Sequence, residues 1–354
     1  MLGHLAASLA LALAAGYCLA PVVGRLAGKL GALDIPSARK LHTQPVPRLG
    51  GVAVYLAFLA GLLAFGAGGR EMWGLVAGAS LIVLLGTLDD IYDLPAKVKL
   101  AGQIATAAAV IPFGLQVEFV TNPVNGGLIY LGWWGIPVTV FWLVAVTNAL
   151  NLIDGLDGLA TGTAVIAAVT LAVVAWTEGH TEAAAPALIL GAAALGFLRH
   201  NFYPAKIFLG DSGSMLLGFV LAATAVIGLT KSATAVSLII PILILGIPLF
   251  DTTFAVLRRC YRRRPIFNPD RDHLHHRLLD AGLTHRRAVL VVYGVDAVLG
   301  ASAVLLTVLS TDQGVLLLVL LAIALLTAAN KVGVLGRRAR REAGLVEREE
   351  HFKM

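Results

Sequence analysis

The sequence has few of the residues that staple small secreted domains or cover the surface of a soluble protein. Only two cysteines, Cys18 and Cys260, occur in 354 residues, which excludes a disulfide framework or a thiolate metal site. Charged residues make up 14% of the chain, well below the usual ~25%. The AVILMFWYC class reaches 58% before glycine is counted, whereas soluble chains reach roughly 45–50% with glycine included. The composition therefore excludes a soluble protein and predicts one that spans a bilayer.

Several recognisable motifs are also missing. No Lys or Arg precedes Arg25, so the N-terminus lacks the basic region of a secretory signal, and we expect a retained first membrane span. The chain has neither a P-loop nor a dinucleotide-binding glycine fingerprint, which excludes a motor ATPase or a Rossmann dehydrogenase. No solenoid repeat is visible, so we expect a single transmembrane catalytic domain over residues 1–335, followed by a basic cytoplasmic tail at 336–354.

Long apolar runs dominate what is present. A spanning helix needs roughly 20 mostly apolar residues, and eleven segments meet or approach this length. They are 4–27, 50–68, 72–88, 98–115, 134–150, 158–177, 183–200, 213–230, 234–257, 287–310 and 314–335. Between the fourth and fifth segments, Gln116–Leu131 predicts a small hairpin outside the bilayer. The predicted fold is an all-α polytopic membrane protein with about eleven transmembrane helices.

The positions of Lys and Arg predict the orientation in the membrane. With the N-terminus outside, all of them except Arg70 and Lys231 fall in cytoplasmic loops or in the tail, as the positive-inside rule requires. We therefore expect an N-out, C-in chain. The same asymmetry explains the formal net charge of +6 by topology, so no nucleic-acid partner is expected. Every dense polar motif then lies at the cytoplasmic face, where we expect the active site.

The first polar motif runs from Asp34 to Gly51. Its prolines and its Gly-Gly pair predict a stiff, extended segment rather than a helix. Arg39, Lys40 and Arg48 either anchor this loop on the cytoplasmic side or bind a phosphate group at the membrane surface.

The second motif places Asp89 and Asp90 at the end of the third apolar segment, followed by Lys99 and Gln103. Adjacent carboxylates in this position are costly unless a cation compensates their charge, and either Mg²⁺ or a lysine satisfies that requirement. Lys99 and Gln103 are four residues apart and share a helix face. The alternative is an acidic loop that only ends a helix.

Two further motifs combine oxygen-bearing side chains with glycine. The third motif repeats such side chains every three residues, at Asn148, Asn151, Asp154 and Asp157, which suits a hard cation or the edge of a nucleobase. In the fourth motif, Gly210 and Gly213 flank Asp211 at a predicted helix N-terminus, where backbone N–H groups favour an anion. Asp211 is either a ligand-binding residue or a helix cap, and Phe208 beside it is placed to stack on a base.

The fifth motif lies in a cytoplasmic loop at 264–286 and contains His273, His275, His276 and Arg277. Histidine and arginine at this density suit a negatively charged diphosphate. Zinc is the alternative ligand, but the histidine spacing fits neither H-E-x-x-H nor a Cys/His finger. Asp251, near the end of the ninth apolar segment, is an intramembrane carboxylate and therefore a functional candidate.

Together these motifs suit phosphoryl transfer between a lipid and a cytosolic substrate. In their order along the chain they resemble the polyprenyl-phosphate N-acetylhexosamine-1-phosphate transferases of glycosyltransferase family 4. The matching strings are D-I-P-S-A-R-K-L-H, P-V-P-R-L-G-G, L-D-D, N-A-L-N-L-I-D-G-L-D-G-L, F-L-G-D-S-G-S and H-L-H-H-R-L. The last string is similar to the bacterial branch that transfers GlcNAc-1-phosphate to undecaprenyl phosphate and starts O-antigen, enterobacterial common antigen or wall teichoic acid synthesis.

This resemblance implies a Mg²⁺-dependent enzyme, with Mn²⁺ as a substitute metal, in the bacterial cytoplasmic membrane. Its implied substrates are UDP-GlcNAc and undecaprenyl phosphate, its implied products polyprenyl-diphospho-GlcNAc and UMP, and it leaves a homodimer open. The implied site residues are Asp89, Asp90 and Lys99 for catalysis, Asp211 and Asn151 for the metal, Asp154, Asp157 and Phe208 for uridine, His273, His275, His276 and Arg277 for the diphosphate or sugar, and Arg39, Lys40 and Arg48 for the lipid phosphate.

Two alternatives to this function stay open. The phospho-MurNAc-pentapeptide transferases of peptidoglycan synthesis share the Asp motifs but differ in the histidine loop. A transporter of nucleotide sugars or lipid-linked sugars is more distant, because the polar motifs lie on one face and the apolar segments are nearly free of charge at mid-depth.

Overall fold

The computed structural model describes residues 2–36, 44–66, 68–121, 127–229, 239–261, 263 and 273–332. Within these ranges the fold is a helical bundle with two short antiparallel hairpins. The helices are α1 (Leu2–Leu30), α2 (Gly50–Phe65), α3 (Arg70–Tyr92), α4 (Ala96–Val110), α5 (Gly135–Ile153), α6 (Leu159–Thr177), α7 (Thr181–Asn201), α8 (Gly210–Leu229), α9 (Ile239–Ile244), α10 (Gly246–Tyr261), α11 (Leu274–Asp280), α12 (His285–Leu306) and α13 (Thr311–Val332). The strands are β1 (Leu33–Asp34), β2 (Val46–Pro47), β3 (Phe119–Thr121) and β4 (Leu128–Tyr130).

Eight of the described helices are long and apolar enough to cross a membrane: α1, α3, α5, α6, α7, α8, α12 and α13. The prediction of an all-α polytopic membrane protein is confirmed. Helices α2 and α4 are shorter, with 16 and 15 residues, and each is less than about 25 Å long at 1.5 Å per residue. The count of eleven spans and the orientation in the membrane stay predictions.

The ninth predicted segment is divided into two helices. Helix α9 ends at Ile244 and α10 begins at Gly246. Pro248 has no backbone N–H and so cannot donate the helical hydrogen bond to the carbonyl of Ile244. The helix therefore breaks between Ile244 and Gly246. Asp251 lies in the second of the two helices, α10.

Glycines allow three helices to meet closely where α8 begins. A Cβ atom added at Gly51 of α2 would lie 2.0 Å from the backbone nitrogen of Gly213, and one added at Gly86 of α3 would lie 2.5 Å from the Cα of Ser212. Small residues at such crossings let helix backbones approach within a membrane. The first turn of α8 is therefore fixed between α2 and α3.

The polar motifs gather at one end of this bundle. The backbone N–H of Phe208 donates to the carbonyl of Pro47 at 2.8 Å, which joins the loop before α8 to the segment before α2. The backbone N–H of Ala205 donates to the carboxylate of Asp157 at 2.9 Å, which joins that loop to the turn before α6. The prediction that these motifs share one face is confirmed for the described residues, whereas the cytoplasmic location of that face stays a prediction.

The predicted hairpin is present and lies in the connection between α4 and α5. Strand β3 pairs with β4 in antiparallel register, with Phe119 opposite Tyr130, while its turn at 122–126 lies outside the described residues. Trp133 and Trp134 follow it and are 88% and 74% exposed. Exposed tryptophans beside apolar helices are typical of a membrane–water interface.

Candidate active site

Asp211 lies in the first turn of helix α8. The preceding Gly210 has a φ of +73°, which glycine adopts without the steric cost of a side chain. A Cβ atom at Gly210 would also lie 2.6 Å from Asp90 Oδ2. The helix begins three residues earlier than the predicted segment at 213–230, because Asp90 satisfies the N–H groups of its first turn.

Asp90 caps helix α8 from the neighbouring helix α3. Its Oδ1 accepts a hydrogen bond from the backbone N–H of Asp211 at 2.8 Å, and its Oδ2 accepts one from the N–H of Ser212 at 3.1 Å. The residue is buried. The carboxyl group of Asp90 therefore occupies the helix N-terminus at which the sequence predicts an anion.

Lys99 bridges the other two carboxylates of the site. Its Nζ lies 2.5 Å from Asp89 Oδ2 and 2.7 Å from Asp211 Oδ2. The second oxygen of Asp89 accepts a hydrogen bond from the backbone N–H of Leu94 at 2.8 Å. The Asp89 side chain is 4% exposed and that of Asp211 is 33% exposed, so Asp211 is the more accessible carboxylate of this pair. Asp89 and Asp90 lie inside α3, which excludes a loop that only ends the helix.

The third motif divides between separate contacts. The Nδ2 of Asn151 donates to Asp211 Oδ1 at 2.6 Å and to Ser214 Oγ at 2.9 Å. The Nδ2 of Asn148 donates to the side chain of Gln103 at 2.6 Å. Of the two asparagines, Asn151 is therefore the one that contacts the Asp211 carboxylate. The predicted shared face of Lys99 and Gln103 is confirmed, since both side chains reach residues at the start of α8.

The turn between α5 and α6, residues 154–158, is held by contacts at its end. Asp157 accepts the hydrogen bond from Ala205, and the Tyr293 hydroxyl of α12 donates to the carbonyl of Gly158 at 2.5 Å. Asp154 is partly buried. Burial, reinforced by the negative charges of the other aspartates (Asp211, Asp90 and Asp157), raises the pKa of Asp154 well above its usual value.

Phe208 lies against the first motif. Its backbone N–H and carbonyl pair with Pro47 and with Gly50, where the N–H of Gly50 donates at 3.0 Å. Its side chain is half-buried. The structure therefore joins Phe208, three residues before Asp211, to the first motif, and its stacking on a base stays a prediction.

Arg48 is held by carboxylates. Its guanidinium forms an ion pair with the buried Asp34 and lies 3.5 Å from Asp93 Oδ1. Burial alone would lower the pKa of Arg48. The negative charge and hydrogen bond of Asp34, together with smaller contributions from other aspartates, outweigh burial and raise the pKa. Arg39 and Lys40 lie outside the described residues. The lipid-phosphate role of all three stays a prediction.

The sequence predicts the histidine motif as part of a loop, but in the structure it forms helix α11, with His273 directly before the first residue of the helix. His273 Nδ1 lies 2.8 Å from Asp251 Oδ2, and both side chains are buried. His275 is 4% exposed, and a Cβ atom at Gly155 would lie 2.3 Å from its Nε2. Burial, with the nearby His276, lowers the pKa of His275 to about 3. His276 and Arg277 are half-buried.

Five aspartates and one lysine dominate the charge of the site. The aspartates are Asp89, Asp90, Asp154, Asp157 and Asp211. Asp89 and Asp211 both face one positive centre, the Lys99 ammonium, so the fold directs carboxylate oxygens at a common cation. This donor set fits Mg²⁺, which binds through one or two carboxylates and keeps water or substrate phosphate as its other ligands. In the described part of the chain, no three His, Cys, Asp or Glu side chains group as a metal site, and the identity of the metal stays a prediction.

Sequence reasoning missed three residues of this region. Asp34 was not recognised as the partner of Arg48, and Tyr293 was not recognised as a support of Gly158. Asp296 lies buried near the middle of α12 and accepts a hydrogen bond from Thr163 at 2.6 Å, so this apolar helix does carry a carboxylate. An isolated polar residue in an apolar run is the only signal that the sequence offers for Tyr293 and Asp296.

Known proteins show extensive similarity to this chain. The family model described as Glycosyl transferase family 4 matches residues 72–229. A probable undecaprenyl-phosphate N-acetylglucosaminyl 1-phosphate transferase of Bacillus subtilis is 46% identical over 287 residues, covering 81% of this chain and 80% of that protein. A decaprenyl-phosphate N-acetylglucosaminephosphotransferase of Mycobacterium tuberculosis is 40% identical over 304 residues, covering 77% and 74%. An undecaprenyl-phosphate alpha-N-acetylglucosaminyl 1-phosphate transferase of Escherichia coli is 30% identical over 288 residues, covering 79% and 78%.

Proposed function

Since the chain belongs to glycosyl transferase family 4, we propose that it transfers GlcNAc-1-phosphate from UDP-GlcNAc to a polyprenyl phosphate, with undecaprenyl phosphate as the acceptor. The names of its relatives support the transferred group and the lipid acceptor. The observation that carries the proposal is the convergence of Asp89, Lys99 and Asp211 at one end of an apolar bundle. Such a site lies where a lipid phosphate and a water-soluble donor can meet.

The reaction is a phosphoryl transfer between two phosphate groups. An oxygen of the lipid phosphate forms a bond to the phosphorus that carries the sugar, and the bond from that phosphorus to the bridging oxygen breaks, so UMP leaves with the electron pair. The bond between the sugar carbon and its oxygen is not broken, so the anomeric configuration is retained. Catalysis of this kind depends mainly on positioning and on neutralising charge.

The residues around Lys99 suit the acceptor side of this reaction. Asp89 is fixed by Leu94 and Lys99, and we assign it to orient or deprotonate the lipid phosphate. The Lys99 ammonium neutralises negative charge that develops on the transferred phosphoryl group. Asp90 is buried and bound to the first turn of α8, so its contribution is to hold Asp211 in place.

Asp211 and Asn151 are the residues that would hold Mg²⁺, or Mn²⁺ in its place. The metal would supply positive charge for the donor diphosphate, which the five aspartates of the site would otherwise repel. The hydrogen bond from Asn151 to Asp211 fixes the carboxylate, and the exposed fraction of Asp211 leaves it open to such a ligand.

The turn at 154–158 and helix α11 suit the donor nucleotide. We assign Asp154, Asp157 and Phe208 to the uridine pocket. From α11, we assign His276 and Arg277 to the diphosphate or the sugar, since both are less buried than His273 and His275.

The protein is a multi-pass membrane protein. We place it in the bacterial cytoplasmic membrane as one catalytic domain, with its site facing the cytosol, because UDP-sugars are cytosolic and Lys and Arg are concentrated on that face. Its product would start a cell-envelope glycan such as a teichoic acid or an O-antigen. A homodimer is compatible with this assignment.

UMP release from UDP-GlcNAc, with purified protein, undecaprenyl phosphate and Mg²⁺, tests the proposal. We expect Asp89→Asn and Asp211→Asn to lower the rate about a hundredfold or more and EDTA to stop it. Asp93→Asn is the matched control, since this carboxylate lies at the end of the same helix and is 90% exposed. Near wild-type rates in both active-site variants would contradict the assignment.

A panel of UDP-sugars separates this activity from that of the phospho-MurNAc-pentapeptide transferases. The proposed enzyme turns over UDP-GlcNAc and leaves UDP-MurNAc-pentapeptide unused. The opposite preference would identify a transferase of peptidoglycan synthesis and reject GlcNAc as the substrate.

A further inference from the structure

Asp251 connects two helices that the proposed mechanism treats separately. It lies in α10, and its side chain is 8% exposed. One oxygen lies 2.8 Å from His273 Nδ1, and the other accepts a hydrogen bond from the backbone N–H of Leu274 at 2.8 Å. Both oxygens of a buried carboxylate are thus engaged at the beginning of helix α11.

Helix α11 then contacts the turn at 154–158. The His275 ring lies against Gly155 so closely that a side chain at this glycine would clash with it. His273 and His275 have nearly parallel rings with centroids 5.9 Å apart. The position of His275 on the turn therefore depends on His273, which Asp251 binds directly.

The other end of the turn is fixed independently. Tyr293 of α12 donates to the carbonyl of Gly158, and Asp157 binds the backbone of Ala205. At the other end, the backbone N–H of Gly155 donates to the carbonyl of Ile153 at 2.7 Å, and the His275 ring of α11 packs on the open side of this glycine. The turn carries Asp154 and Asp157, which the proposed function assigns to the uridine pocket.

We infer that Asp251 is a positioning residue for the donor nucleotide, which acts by holding His273 and the start of α11 so that His275 closes on Gly155. This inference rests on the proposed function for the identity of the donor. It also divides the histidine motif by role. His273 and His275 are buried and build the site, while His276 and Arg277 are presented to the donor.

The geometry distinguishes this role from direct catalysis. Asp251 contacts His273 and Leu274, whereas the acceptor side of the site is built from Asp89, Lys99 and Asp211. A carboxylate that works by holding a helix is replaceable by an amide, because the Asn oxygen can still accept from Leu274 and the side chain can still hydrogen-bond His273. A carboxylate that acts as a base or a metal ligand is not replaceable in this way.

Steady-state kinetics of Asp251→Ala and Asp251→Asn test the inference. We expect Asp251→Ala to raise the KM for UDP-GlcNAc about tenfold while the KM for undecaprenyl phosphate changes less than about twofold. Asp251→Asn should restore most of the loss, and the double variant Asp251→Ala with His273→Ala should be no worse than the more impaired single variant. Asp312→Asn is the control, since this exposed carboxylate lies in the first turn of α13.

Two kinetic outcomes would overturn the inference. Equal loss of turnover in Asp251→Ala and Asp251→Asn, with an unchanged KM for UDP-GlcNAc, would identify a catalytic carboxylate. Additive effects of the Asp251 and His273 substitutions would show that the two residues are not energetically coupled.

Hydrogen exchange of the backbone amides provides a readout that needs no substrate. In Asp251→Ala, exchange should accelerate in residues 273–281 and 154–158 and stay unchanged in α3 and α8. This result would support the anchoring role even if UDP-GlcNAc proved not to be the donor. Unchanged exchange at 154–158 would reject it, whatever the substrate.

Discussion

Asp90 caps the helix that carries Asp211, through a hydrogen bond of 2.8 Å from the Asp211 backbone N–H to Asp90 Oδ1. Asp89, the residue before Asp90, does not contact this helix N-terminus in the same way but pairs with the Lys99 ammonium. Adjacent residues of a helix point about 100° apart, so two neighbouring carboxylates serve different sides of α3. One fixes the position of Asp211, and the other shares a cation with it.

The contacts of Asp90 with α8 predict that its removal lowers the stability of the protein. Asp90→Ala removes the acceptor for two backbone N–H groups of α8, and we expect the free energy of unfolding to fall by about 2 kcal/mol. Thermal unfolding in detergent measures this loss as a lower Tm. Asp93→Asn is the control, because this side chain is 90% exposed and asparagine tolerates the left-handed backbone of the position, with its φ of +49°; its Tm should fall much less than that of Asp90→Ala. An inactive Asp90→Ala protein with the Tm of the wild type would instead assign Asp90 to the chemistry.

Substitution of Lys99 should change turnover and the Mg²⁺ requirement in different ways. Lys99→Gln leaves Asp89 and Asp211 without their shared ammonium, so their negative charge attracts a divalent cation more strongly. We expect turnover to fall about a hundredfold, while half-maximal activity is reached at a lower Mg²⁺ concentration than in the wild type. UMP release across a Mg²⁺ titration measures both effects.

The control for this titration lies on the same helix. Lys97→Gln removes an equal charge from an exposed position two residues earlier and should change neither quantity. A higher Mg²⁺ requirement in Lys99→Gln than in Lys97→Gln would contradict the proposed role of the ammonium.

The pair of Arg48 and Asp34 tests a residue that the sequence assigns to the lipid phosphate. Arg48→Ala leaves a carboxylate that is 9% exposed without its guanidinium partner. Because Arg48 itself is 29% exposed, we expect a loss of about 2 kcal/mol, below the range for a fully buried pair, and partial recovery when Asp34→Asn is added. Tm values of the single and double variants measure the coupling. An unchanged Tm with a higher KM for undecaprenyl phosphate would assign Arg48 to the lipid instead.

The sequence predicts the fold well because membrane helices carry a strong local signal. Long apolar runs, alternating with basic loops, indicate both the helices and the common end at which their polar motifs meet. Helix boundaries near the site are the exception. Helix α3 continues to Tyr92 and α8 begins at Gly210, because Asp89 and Asp90 are compensated inside the bundle by groups that are remote in sequence.

The roles within the site are harder to predict for a related reason. Asp89 and Asp90 look equivalent along the chain, and only the approach of α8 distinguishes them. The three histidines likewise look like one cluster, although His273 binds Asp251 and His275 packs on Gly155. Such pairings depend on tertiary contacts, which local sequence patterns do not encode.

Burial of His275 predicts a specific dependence of stability on pH. Its pKa is lowered to about 3 in the folded protein, against about 6.5 in the unfolded chain. Between these values the unfolded state binds the additional proton, so this contribution to stability is complete above pH 6.5 and is lost as the pH falls toward 3. From pH 7.5 to 5.5, we expect His275 to cost about 1 kcal/mol of unfolding free energy.

Thermal unfolding at these two pH values, in the wild type and in His275→Gln, measures this contribution. Glutamine is polar, of similar length and does not titrate, so the variant should lose less stability on acidification than the wild type. His4→Gln is the control, since this histidine is exposed near the N-terminus and its replacement should leave the wild-type pH dependence intact. An identical fall of Tm in the wild type and in His275→Gln would show that the ring is not held neutral against Gly155.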